Sequence, residues 1–147
     1  MLPMAGGRLK GLERAREAEK GQLMPGSLEL AYLGDAVFEF YVRESLVRKG
    51  GRMKTLHRAA VDKVCAHAQA GHLEKIAPLL TEEEEAVVRR ARNAKQTPPR
   101  NADRAEYHLA TGFEALIGYL YYNGRGQRLN QLMTIVLNAQ EEAQCPR

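Results

Sequence analysis

The sequence predicts an all-α fold, and three observations carry that expectation. Helix-length apolar patterns fill most of the chain from Leu28 to Glu142. No alternating run is long enough to suggest a strand. The breaks between patterns hold helix stop and start residues: Gly50-Gly51, Pro78, Thr81, Pro98-Pro99 and Gly124. The 147 residues make about one domain, and a core of that size can bury roughly 70% of the unfolded surface. With 44% hydrophobic and 27% charged residues the composition is that of a globular protein, so folding requires no disulfide or structural metal.

Residues 1–24 read as an N-terminal segment, 25–143 as one helical domain and 144–147 as a tail. Within the first segment, residues 8–20 are charged, with few apolar positions, and read as a frayed or docked helix. Pro25, Gly26 and Ser27 then break the chain, with Ser27 as the N-cap. From Leu28 to Lys49 apolar residues go almost all round, which predicts a buried central helix. A third helical region spans Lys54 to Ile76, interrupted near Gly71. In "TEEEEAVVRRARNA", Thr81 and Glu84 form a capping box, and the acids and arginines complement the helix dipole. "KQTPPRN", residues 95–101, is a loop. A long helix follows from Asp103, its N-cap, to Asn123, and a last one covers residues 127–142.

Net charge is +4 and the isoelectric point about 9.2, which leans towards a polyanionic partner. Arg89, Arg90, Arg92, Lys95, Arg100 and Arg104 cluster around the proline loop against one acid, Asp103. A solvated charged face or a phosphate-facing patch accounts for this run. Cys65 and Cys145, far apart and in no CxxC pair, fit a reduced, intracellular protein. The N-terminus has no apolar core of a secretory signal, and the run "ALIGYLYY" falls short of the about 20 residues that span a bilayer. Walker A, GxGxxG and GxSxG motifs are absent, and the four histidines show no ligand spacing.

The acids on apolar helices carry the chemistry. Leu28, Tyr32, Asp35, Glu39, Val42 and Leu46 share one helical stripe, and Tyr107, Ala110, Glu114, Ile117 and Tyr121 share another. An unpaired carboxylate on such a face costs several kcal/mol, so Asp35 and Glu114 require partners. A paired core carboxylate would meet that need; two such acids on facing helices of a basic protein point instead to a hard cation such as Mg²⁺. That ion suits phosphodiester hydrolysis. Glu39, one turn from Asp35, joins the site or accepts a basic side chain. Asp103 is about 16 Å from Glu114 along the helix and cannot share its ion.

"LGDAVFE", residues 33–39, and "FEALIGYLYY", residues 113–122, resemble the two acidic segments of the ribonuclease III catalytic domain. The stretch "RNAKQTPPRNADRAEYHLATGFEALIGYLYYNG" is similar to the Mini-ribonuclease III subfamily, which lacks the double-stranded-RNA-binding domain. The resemblance covers roughly residues 28–140. It implies an all-helical, dimeric endonuclease that cuts double-stranded RNA with Mg²⁺, or Mn²⁺ in its place, leaving 5′-phosphate ends. Asp35 and Glu114 match the family's metal-binding, catalytic acids. Ala31 and Thr111 stand where the larger enzymes have two more, so the metal shell here must include more water or other ligands, and Thr111 stays near the site. The implied substrate is precursor 23S ribosomal RNA in the cytoplasm. Arg92, Lys95, Gln96, Thr97, Arg100, Asn101 and Arg104 are the candidate RNA-binding residues, and "LELAYL" and "LIGYLYY" the candidate homodimer faces, with ordinary core as the other reading of both. A non-catalytic RNA-binding or ribosome-assembly protein on the same fold is the alternative.

Overall fold

The computed structural model describes residues 24–138, and among them there are helices and no strand. The helices are α1 (Ser27–Lys49), α2 (Met53–Val64), α3 (Ala66–Ile76), α4 (Glu82–Arg92), α5 (Arg104–Tyr122) and α6 (Gly126–Leu137), with a 3₁₀ turn at Ala77–Leu79. The expected helix over residues 8–20, the end of the last helix and the tail lie outside the described residues.

Helix α5 is the centre of the fold. It packs most extensively on α1 and also contacts α3, α4 and α6. Its Phe113, Leu116 and Leu120 are fully enclosed, as are Phe38, Tyr41 and Val42 of α1. Phe38 meets Phe113 edge to face, with ring centroids 5.0 Å apart. "LIGYLYY" is therefore core: Leu116 to Tyr121 are buried within the chain.

The structure departs from expectation at four places. Gly26, not Ser27, is the N-cap of α1, and no side chain caps it. The expected third helix breaks at Cys65, whose ψ of 158° is extended. The expected break at Gly71 does not occur; a Cβ there would meet nothing within 4 Å, so the glycine is an ordinary exposed helical position. Helix α1 is not enclosed on all sides. Tyr32 is 84% exposed, and Leu28 and Phe40 are also open, because the neighbouring helices cover only the opposite face.

The predicted caps at Thr81 and Asp103 hold. Thr81 Oγ1 accepts from Glu84 N at 3.1 Å, and Glu84 Oε1 accepts from Thr81 N at 3.0 Å. Glu84 is almost fully buried because Arg128 of α6 reaches it through Nη2 at 2.8 Å and Nε at 2.9 Å. These bonds to Arg128, and then to Thr81, hold the Glu84 carboxyl below its ordinary pKa against the opposing effect of burial. One ion pair thus ties α4 to α6. No helix among the described residues is long and apolar enough to cross a membrane.

Candidate active site

A glycine contact fixes the site. At the crossing of α1 and α5 the backbones touch, with Gly34 facing Gly118. A Cβ on Gly34 would stand 2.7 Å from the carbonyl carbon of Glu114 and 2.8 Å from Gly118 N. A Cβ on Gly118 would stand 2.8 Å from the carbonyl carbon of Leu30 and 3.1 Å from Gly34 N. Real side chains do not fit at such separations, so glycine is required on both helices for backbone to meet backbone. The next residue after Gly34 is Asp35, and Glu114 supplies the carbonyl that Gly34 abuts. Close approach therefore brings the two acids together.

Asp35 and Glu114 line one hollow of about 130 Å³, with Val64, Gln69, Tyr107 and Thr111 in its walls. Asp35 is exposed and Glu114 partly buried, so the expected burial holds for Glu114 and not for Asp35. Burial pushes the Glu114 carboxyl up to about 8, and its hydrogen bond to Asp35 and the charge there add to the rise. The Gln69 amide opposes the shift and the more distant Glu39 charge reinforces it. At neutral pH, Glu114 therefore holds a proton. A divalent cation would satisfy both carboxyls once that proton left, and this donor set of hard oxygens fits Mg²⁺ or Mn²⁺. Among the described residues no group of three or more His, Cys, Asp or Glu could hold a metal ion. Asp35 and Glu114 would hold such an ion, with water completing its shell.

Glu39 takes the second of its two expected roles. Its carboxylate accepts from Arg43 at 3.2 Å on the exposed side of α1. Thr111 is buried beside the acids. Its hydroxyl donates to Tyr107 O at 3.0 Å and accepts from Gln96 Nε2 at 2.8 Å. Gln96 thus turns inward and ties the basic loop to α5 three residues before Glu114. Arg92, Lys95, Thr97, Arg100, Asn101 and Arg104 stay exposed around it. Asp103 caps α5, accepting from Glu106 N at 2.9 Å, and Glu106 Oε1 lies 2.6 Å from His67 Nδ1 of α3.

Gln69 and Tyr107 line the hollow without having been singled out from the sequence. Gln69 was legible by the reasoning that found the acids: it is a polar residue on the same stripe as His72, Leu73 and Ile76, all buried.

Comparison with known proteins identifies the family. A family profile described as "Ribonuclease III domain" matches residues 28–125. The Mini-ribonuclease 3 of Symbiobacterium thermophilum is 50% identical over 119 residues, covering 80% of this chain and 92% of that protein. The Mini-ribonuclease 3 of a Thermoanaerobacter species is 41% identical over 126 residues, covering 84% and 89%. An X-ray crystal structure of a Fusobacterium nucleatum protein superposes with a TM-score of 0.73 at 34% identity, covering 78% of this chain and 94% of that one. Two acids joined across a glycine crossing on an all-helical frame, with relatives this similar over most of their length, place the chain in the ribonuclease III family, as an endoribonuclease of the Mini-ribonuclease 3 kind.

Proposed function

We propose that this protein is a Mg²⁺-dependent endoribonuclease that cuts double-stranded RNA as a homodimer in the cytoplasm, with precursor 23S ribosomal RNA as its substrate. The observation that carries the reading is the pairing of Asp35 with Glu114 in one open hollow. When bound, a divalent cation supplies Lewis-acid polarisation of the scissile phosphate and a water acidic enough to ionise near neutral pH.

The chain's own residues do the rest. Asp35, already exposed, offers an oxygen to the cation. Glu114 offers another after giving up its proton, so binding is coupled to proton release. Gly34 and Gly118 hold the two helices at the separation that this sharing needs. Lys95, Arg100 and Arg104, exposed on and beside the loop tied to Thr111, neutralise backbone phosphates. A-form RNA is gripped through shape, phosphates and 2′-hydroxyls, which such a loop can supply without reading bases. The open face of α1, with Leu28, Tyr32 and Phe40, supports the second copy; a two-fold dimer gives each antiparallel strand an equivalent site.

The test is incubation of the protein with duplex RNA and with structured precursor ribosomal RNA in Mg²⁺, with mapping of the product ends. Cuts with 5′-phosphate ends are expected, and Asp35→Asn and Glu114→Gln should each abolish them while leaving the dimer intact. Duplex that is bound and never cut in Mg²⁺ or Mn²⁺ refutes the proposal.

A further inference from the structure

The hollow beside the two acids contains a third polar group that the mechanism above leaves unused. Gln69, on the first turns of α3, is 2% exposed, yet it lines the same hollow as Asp35 and Glu114. Its Nε2 donates to the carbonyl of Val64 at 2.9 Å. That carbonyl is free to accept because the chain breaks at Cys65 between α2 and α3. The contact fixes which end of the amide is nitrogen and which is oxygen. The oxygen, Oε1, is buried and has no hydrogen-bond partner. Buried polar atoms are nearly always paired, and an unpaired one in a site calls for an explanation.

A cation held by two carboxylates keeps several waters. Each of those waters donates protons and is oriented by acceptors on the surrounding wall, and such partners set metal affinity as well as the ligands do. We propose that Gln69 is a positioning residue of the cation site: clamped on the Val64 carbonyl, its amide orients Glu114 and presents Oε1 as the acceptor for a water on the divalent cation. The inference rests on the reading of Asp35 and Glu114 as metal ligands. It goes beyond that reading by assigning a role to an uncharged residue from a third helix. The break at Cys65 then has a use, since a continuous helix would leave Val64 without a carbonyl for Gln69 to hold.

The test is Mn²⁺ binding to the RNA-free protein, followed by calorimetry or by electron paramagnetic resonance of the free ion. Gln69→Met keeps the length of the side chain and removes the amide. It should weaken Mn²⁺ binding by about tenfold or more, the usual effect of losing a partner that orients a metal's ligands or waters. Gln69→Glu keeps an acceptor oxygen but loses the donor to Val64, and should bind Mn²⁺ more tightly than Gln69→Met does. Wild-type affinity in Gln69→Met overturns the proposal, as does equal loss in Gln69→Met and Gln69→Glu, which would make the Val64 clamp the whole role. Should Gln69→Met not fold, Gln69→Asn replaces it. That amide is one methylene too short to hold Val64 and face the hollow together, so the same loss is expected and wild-type affinity again overturns the proposal. Asp35→Asn is the control. If it too binds Mn²⁺ normally, the metal-site reading itself fails. If it loses binding while Gln69→Met does not, only the role of Gln69 fails.

Discussion

Gly34→Ala is the sharpest perturbation of this site that leaves every polar group in place. The added methyl would lie 2.7 Å from the Glu114 carbonyl carbon and 2.8 Å from Gly118 N. Carbon atoms in ordinary contact lie about 3.5–4.0 Å apart, and the Glu114 carbonyl oxygen is nearer still, so α1 and α5 must part by more than about 1 Å. Both atoms are backbone inside helices, so neither can swing aside. Overpacking of this kind costs typically about 1–3 kcal/mol, and alanine's better helix propensity returns about 1 kcal/mol at most. Net destabilisation of about 1–2 kcal/mol is expected. The loss of activity should be far larger than that stability change implies. A misplacement of about 1 Å between catalytic groups can cost about 100-fold in rate. Single-turnover cleavage of a duplex RNA, at a temperature where circular dichroism shows both proteins folded, separates the two effects. A folded Gly34→Ala that cuts within threefold of the wild type would refute the claim that this crossing sets the distance between Asp35 and Glu114.

Other expectations follow from the same geometry. Glu114→Gln should stabilise the metal-free protein. The Glu114 pKa rises on folding from 4.5 to about 8, so its unfavourable contribution grows as pH climbs from about 4.5 and levels off above about 8. The gain at pH 7 is up to about 3 kcal/mol, read as the shift in chemical unfolding midpoint, and should vanish near pH 4. For the same reason Mn²⁺ affinity should rise about tenfold per pH unit between 6.5 and 7.5, with one proton released per ion, and then flatten above 8, as calorimetry in buffers of different ionisation enthalpy will show. Arg128→Ala strips the buried Glu84 of its partner and should cost about 3 kcal/mol in urea unfolding. Its effect should shrink at low pH, because the Glu84 carboxyl, lowered by Arg128, is then protonated in either protein. Arg100→Ala should weaken duplex binding and lower the slope of log affinity against log salt by about one, with the cleavage pattern unchanged.

Asp35 and Glu114 were legible because each interrupts an otherwise apolar stripe, and periodicity alone exposes such an interruption. The Thr81–Glu84 box and the Asp103 cap were legible because caps are local, spanning three residues. The second role of Glu84 was not legible: its partner Arg128 is 44 residues away. The glycine pair escaped for a related reason. A sequence shows that Gly34 lacks a side chain; it does not show that Gly118 is the residue it meets. The break at Cys65 carries no proline or glycine to announce it, and the carbonyl it frees is met by the Gln69 amide one turn further on. The exposure of Tyr32 was hidden because an apolar pattern all round a helix looks the same whether neighbours or solvent cover one side.

The proton on Glu114 also bears on how a polyanion reaches this surface. With both carboxyls ionised, an arriving duplex would meet a doubly negative spot at the point of closest approach. With the proton on Glu114 in place the repulsion is weaker, and Arg100 and Arg104 stand exposed on the nearby loop. If Asp35 and Glu114 hold the ion as proposed, a duplex docking before the ion would meet less repulsion there, and its phosphates would then favour the ion's entry. In the proposed reaction one carboxylic acid would thus link the arrival of the duplex to that of the ion.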